Sequence, residues 1–278
     1  MGKVWKSANI VTRALVVMHL LDVPSETMLS AYLWARRDVA EACGFDQDPK
    51  WRKGMPSQSA LNRFKHRVGV EGLERVLEEL VHELLKMGVA KGRWIAVDSP
   101  AVDAYFRRDP DARWGYMDVD KPFFGYKLHI IIDVRSELPI AFRVTAGNIH
   151  DSQEYLGLLD QIEDSATSEH AYGDGAYDAE ALRTASISLY NLELHTPRNP
   201  RRKGGKAKSS RTVKRRKSPV ERVFSRLKLL RFKDLKVKGP ASTTIHILLA
   251  LVTMLAIAIS ATANRMTNKI RCIRSLTA

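Results

Sequence analysis

The 278-residue sequence has two cysteines, Cys43 and Cys272, far apart and neither with a CxxC partner. This excludes a disulfide framework and a cysteine zinc cluster, and it fits a reducing, cytoplasmic setting. Walker-type phosphate loops, dinucleotide fingerprints and Ser/His/Asp nucleophile arrangements are also missing. The basic, apolar start is broken by Arg13 and His19 with no small-residue cleavage site after it, so no signal peptide is expected. Acidic residues are scarce in one stretch: residues 201–238 hold 17 Lys and Arg against only Glu221 and Asp234. The other 240 residues are near neutral, with 28 basic and 29 acidic side chains, so the chain's formal charge of +14 is local. A field concentrated in this way attracts a polyanion, nucleic acid first.

Nineteen residues, 245–263, lack any Asp, Glu, Lys or Arg, which is the length of a membrane span. His246, Thr253, Ser260 and Thr262 lie within it, and Lys and Arg flank it on both sides, so charge favours neither orientation. A buried terminal helix is expected, with no membrane partner.

Residues 1–90 read as a helical domain, either a helix-turn-helix or a packing and dimerisation module. The clearest helix is Val70–Met87, with Leu73, Val76, Leu77, Leu80, Val81 and Leu84 on one face and glutamates on the other. Ala31–Ala42 is a second helix, and Ser57–Arg67 a third, capped by Ser57 or Ser59. After Gly92 the pattern turns to strands: Trp94–Val97 ending on Asp98, then Lys127–Val134 and Pro139–Thr145, joined by a tight connection as in a hairpin. A helix capped by Asp151 or Ser152, a strand His170–Tyr172, a helix capped by Asp178 and a strand Leu192–Thr196 follow. A basic loop over 198–217 leads to a helix starting near Pro219. The order predicts an α/β fold with one mixed sheet, three antiparallel strands and then alternating helix and strand, over residues 91–264, with a basic tail over 265–278.

Three acids fall where this order can gather them: Asp98 ending the first strand, Asp174 just beyond the fourth, and Glu221 in the first turn of the last-named helix. Oxygen-only ligands select hard cations, and Mg²⁺ is usually held by a few carboxylates while keeping water and substrate phosphate. Two such ions ~4 Å apart can serve an in-line phosphoryl displacement. Singly, each acid has a plainer reading: a strand end, a turn residue in Gly173-Asp174-Gly175, and a charge complementing a helix dipole. Asp103 and Asp133 can also enter the cluster, although Asp133 reads as a turn residue. His150 and Asp151 read first as a hydrogen-bonder and a helix cap.

Five segments, VDSPAVDA (97–104), GYKLHIIID (125–133), LPIAFRVTAGNIHDS (138–152), YGDGAYDAEALR (172–183) and SPVERVFSRLK (218–228), occur in one order. Together they resemble the DDE transposases of bacterial and archaeal insertion sequences over residues 90–260. The resemblance implies a ribonuclease-H-like core, Asp98, Asp174 and Glu221 as catalytic metal ligands, and two Mg²⁺ ions that Mn²⁺ can replace. It also implies double-stranded DNA as partner and a homodimer or higher assembly on it. The family's last block commonly has a Lys seven residues past its Glu, matched by Lys228. It also commonly has a Tyr seven before and an Arg four before, where this sequence has Lys214 and Lys217. Basic charge is kept there, but an aromatic ring and a forked guanidinium are lost.

Phosphate contacts are expected from Lys228, Arg222, Arg226, Lys214, Arg215, Arg216 and Lys217. Trp114, Tyr116, Phe123 and Phe124 either stack on bases or, the favoured reading, cover a sheet edge. Two alternatives to a transposase stay open: a metal-dependent nuclease without strand transfer, and a non-catalytic basic DNA-binding protein.

Overall fold

The computed structural model describes residues 2–47, 55–118, 121–162, 167–198 and 211–273, with the backbone alone for 2–9, 118 and 211–217. Four helices come first: α1 (Gly2–Leu20), α2 (Glu26–Ala35), α3 (Arg37–Cys43) and α4 (Gln58–Lys86). The expected Ala31–Ala42 helix is two, because the backbone leaves helical geometry at Arg36 (φ −111°, ψ 81°), whose side chain turns to Asp38 at 2.7 Å. Ser57 caps α4, its hydroxyl accepting the Ala60 N–H at 3.2 Å. The two helices read over 57–67 and 70–87 are halves of α4, kinked at Gly69, whose φ of 66° and ψ of −169° suit glycine alone.

The sheet has seven strands: β1 (Trp94–Asp98), β2 (Ala101–Asp103), β3 (Arg113–Asp118), β4 (Lys121–Asp133), β5 (Leu138–Ala146), β6 (His170–Tyr172) and β7 (Glu193–His195). Between and after them lie α5 (Asp151–Asp160), α6 (Glu180–Tyr190), α7 (Arg211–Leu229) and α8 (Pro240–Ala263). β4 pairs antiparallel with both β1 and β5, while β6 joins β1 and β7 joins β6 in parallel. This is the mixed α/β sheet expected. β2 and β3 were not legible, and β4 starts six residues before the expected Lys127. Gly125 allows the extra pairing: a Cβ there would stand 2.2 Å from the Val102 carbonyl oxygen.

Two expectations about helices are corrected. Residues 211–217 belong to α7 and not to a loop, so the helix starts eight residues before Pro219, carries that proline inside, and places Glu221 well past its first turn. The helix-dipole reading of Glu221 falls with it, since the dipole acts within the terminal turn. At the far end, His19 of α1 donates through Nδ1 to the Leu230 carbonyl at 3.0 Å, and His246 of α8 through Nε2 to the Arg231 carbonyl at 2.7 Å. Both carbonyls lie just past the end of α7, and that of Arg231 also accepts the Asp234 N–H at 2.9 Å.

Among the described residues one helix, α8, is long and apolar enough to cross a membrane, but 72% of its most apolar stretch is buried inside the protein. It packs on α1, α4, α7 and β5. Thr253 is tolerated there because its hydroxyl returns to the Leu249 carbonyl at 2.7 Å. The buried apolar side chains form one cluster from Ile10 to Ile273, so the N-terminal helices share a core with the sheet.

Candidate active site

β1 and β6 are parallel neighbours with Ala96 opposite Tyr172. Extending that register by two residues brings Asp98 level with Asp174 at the carboxyl-terminal ends of the strands, about 5 Å being the spacing of paired strands. Both are half-buried. Asp98 Oδ1 accepts the Ser99 N–H at 2.9 Å, and Asp174 Oδ1 accepts the Ala176 N–H at 2.9 Å, opening the 3-10 turn Gly175–Tyr177. Thus the turn reading of Asp174 is also correct, and it leaves the residue at the strand end. α7 lies against β1 and β6, burying Val220, Val223 and Leu227. Glu221, next to Val220, is exposed on the helix that crosses both acid-bearing strands.

Beneath the two aspartates runs a polar chain that sequence reading missed. The Tyr177 hydroxyl lies 3.0 Å from Ser99 Oγ, which lies 2.9 Å from His129 Nδ1, and His129 Nε2 lies 2.8 Å from Thr145 Oγ1. Thr145 donates to the Ala146 carbonyl at 3.2 Å. It therefore accepts from His129 Nε2–H, His129 Nδ1 accepts from Ser99, and Ser99 accepts from Tyr177, which makes a one-way chain. Burial drives the Tyr177 pKa well above the ordinary tyrosine value, with the negative fields of Asp151, Asp98 and Asp174 adding to it. Burial likewise lowers His129 to about 4, so both groups are neutral at pH 7. The signal for this chain was a single His within the otherwise apolar HIIID run, and a Ser directly after Asp98.

Asp151 is the other residue that the sequence placed differently. His150, not Asp151 or Ser152, caps α5: its Nδ1 accepts the Ser152 N–H at 3.3 Å, in a reciprocal box with Gln153. Asp151 instead pairs with Lys127 at 2.8 Å, both largely buried, and its field reaches Tyr177. Asp178 is not a cap either; it pairs with Arg183, which also donates to Thr196 at 2.6 Å, tying α6 to the segment after β7. Asp133 is a turn residue, accepting the N–H groups of Gly92 at 3.0 Å and Ser136 at 2.7 Å. It lies opposite Ile95, three residues from the partner of Asp98, so it stands apart from the acid pair. Asp103 pairs with Gly125, further still along β4 in the other direction.

The arginines expected on DNA have partners inside the protein. Glu137, buried in the β4–β5 turn, is held by Arg222 at 2.6 Å, by Arg226 at 3.1 Å and by Arg271 at 3.2 Å. Burial brings Arg226 down to about 10 against the pull of Glu137, whereas the hydrogen bonds that Arg222 donates to Glu137 raise Arg222. Arg226 is mostly buried and serves to hold α7 on the hairpin; Arg222 is half-exposed. Lys228 is exposed on the same helix. The side chains of Lys214, Arg215, Arg216 and Lys217 lie outside the described residues. Among the aromatic residues, Phe123 is buried in β4 opposite Gly115 of β3, while Trp114 and Tyr116 are each 65% exposed.

The sequence model of one family, the transposase DDE domain, matches residues 90–256. That span is more than half of the chain and holds β1 to β7, α7 and the three acids, and the chain belongs to this family. No curated protein matches it. Among solved structures it is similar to the Mos1 transposase paired-end complex with left transposon end, at 14% identity, covering 76% of this chain and 80% of that one with a TM-score of 0.25.

Proposed function

We propose that this protein cleaves DNA at the ends of an insertion element and joins the freed 3′-hydroxyl to target DNA, using Asp98, Asp174 and Glu221 as ligands for Mg²⁺, with Mn²⁺ able to substitute. The observation that carries the reading is the parallel β1–β6 register, which supports Asp98 and Asp174 side by side at one strand edge under the helix that bears Glu221. The donor set suits the ion: carboxylates only, with Asp98 and Asp174 half-buried at or just past strand ends and Glu221 exposed on α7. When bound, a pair of such ions lowers the pKa of the attacking hydroxyl or water and offsets charge on the leaving oxygen.

The protein's own contribution is position. Ser99 and Tyr177, locked in the neutral hydrogen-bonded chain, fix the two loops that carry Asp98 and Asp174. Arg222 and Arg226 clamp α7 to Glu137 and so set the height of Glu221 above the sheet. Lys228 and the basic stretch over 201–217 bind phosphate, largely without regard to sequence. The helices α1–α4 read element ends or join two copies, and the assembly on DNA is a homodimer or larger. Membership of the family supports DNA as the partner, and a cytoplasmic setting belongs to the same reading.

A labelled element-end duplex with Mg²⁺ and the purified protein tests the reading. Joined products are expected along with cuts, and Asp174→Asn should lose both while retaining DNA binding. Cuts without joints would leave a nuclease, and unchanged cleavage in Asp174→Asn would overturn the site.

A further inference from the structure

Away from these acids, the sheet edge carries a second cluster with different donors. β6 and β7 are parallel, with His170 opposite Glu193 and Tyr172 opposite His195. His170, Tyr172, Glu193 and His195 thus share one face, as residues two apart on a strand do. His170 Nδ1 lies 3.1 Å from His195 Nε2, and Glu193 Oε2 lies 3.3 Å from the first nitrogen and 3.5 Å from the second. The three atoms form a nearly equilateral triangle. One hydrogen bond between the imidazoles satisfies one edge of it and cannot aim its single proton at the carboxylate as well. A tetrahedral ion with bonds of about 2.0–2.1 Å satisfies all three edges, because its ligand atoms stand about 3.3 Å apart.

We propose that His170, Glu193 and His195 form a zinc(II) site with a fourth position open to water, separate from the oxygen-only triad and independent of the transposase reading. Two imidazoles and a carboxylate favour a borderline transition metal over Mg²⁺. The side chains of His170, Glu193 and His195 are 34%, 60% and 28% exposed, so the ion has a path in from solvent. The Tyr172 ring stacks on His195 at 5.0 Å and 17°, which holds the imidazole plane in place. β7 is three residues long and sits at the end of the strand order, where few backbone bonds retain it. The His195 carbonyl accepts the Gly173 N–H at 3.1 Å, directly before Asp174. A metal clip between β6 and β7 therefore steadies the segment from which Asp174 projects.

The test uses the full chain, stripped of metal and titrated with Zn²⁺ against a chromophoric chelator. One equivalent should bind. His170→Ala and His195→Ala should each weaken it by about 100-fold or more, and Asp98→Asn and Asp174→Asn should leave its affinity unchanged. In the wild-type protein, where no variant needs to fold, Zn²⁺ should protect His170 and His195 from acylation by diethyl pyrocarbonate while His66 and His82 react as before. Absence of zinc binding, an affinity unchanged from wild type in either histidine variant, or acylation of His170 and His195 at the same rate with and without Zn²⁺ would each overturn the proposal.

Discussion

The two ends of β1 treat acidic residues in opposite ways. At its start, Asp133 and Glu137 of the neighbouring hairpin are buried, 1% and 5% exposed, and wholly engaged: Asp133 by two backbone N–H groups, Glu137 by Arg222, Arg226 and Arg271. At its finish, Asp98 ends β1 and Asp174 follows the end of its parallel neighbour β6, both half-buried and next to a neutral polar chain. The same chemical group is closed in by donors at one end and only half-buried at the other, where each carboxylate accepts a backbone N–H. A carboxylate closed in by donors is held as structure, whereas two placed together at an open strand edge repel and are stabilised by an added cation.

Substitution at each end should separate the two. Asp174→Asn should lower cleavage by about a thousandfold, equivalent to ~4 kcal/mol of barrier, with the melting temperature little changed. Asp133→Asn should do the reverse, because it trades an acceptor of two buried N–H groups for an amide, and thermal melting would show it. If Asp174→Asn melts as early as Asp133→Asn, the two ends are not different in kind.

Arg226→Ala should rank next. It leaves Glu137 buried with part of its charge unmet and should cost about 3 kcal/mol, in the range for breaking a buried pair, measurable by urea unfolding. Cleavage should fall in parallel, since α7 carries Glu221. Arg222→Ala, at a half-exposed position, should cost much less.

Gly173→Ala attacks the acid end through packing. A Cβ there would stand 2.9 Å from the Tyr177 ring, so either the ring or the Asp174 turn must move. A loss of about 2–3 kcal/mol is expected, with cleavage reduced beyond what partial unfolding explains. A crystal structure of the variant with the turn unmoved would remove the reason to expect it.

The acid end was the more legible of the two. Strands that terminate on Asp98 and just before Asp174 can be read from apolar runs, whereas their being neighbours is a condition that the order leaves open and the parallel β1–β6 pairing supplies. The Glu137 clamp could not be read, because Arg222 and Arg226 are 85 and 89 residues away from it and nothing local distinguishes a clamped arginine from a phosphate-binding one. Pro219 misled for a different reason: proline inside a helix looks like proline at its start when the preceding residues, 211–217, lack an apolar period. Asp151 and Asp178 beside helix starts were read as caps for their type, whereas the caps are His150 and Ala179, and the acids pair with Lys127 and Arg183.

The smallest effect concerns the polar chain itself. Burial lowers His129 to about 4, against about 6.5 for the unfolded chain, so on acidification the unfolded state takes up a proton before the folded state does. Stability is therefore fully present above pH 6.5 and is lost as the pH falls through that value toward 4. Between pH 7 and pH 5 this one residue should account for about 1–2 kcal/mol of the decline. His19, also lowered to about 4 by burial, adds a similar share, which is why the comparison must be between variants and not between pH values alone. His129→Gln can keep one bond to Ser99 or Thr145 but cannot titrate, so its unfolding free energy should fall less steeply over that range than the wild type's. Equal slopes would mean that His129 takes up its proton over the same pH range in the folded and the unfolded chain. Below that range the one-way chain from Tyr177 to Ala146 would then have to run differently, with an imidazolium donating to Ser99 directly beneath Asp98.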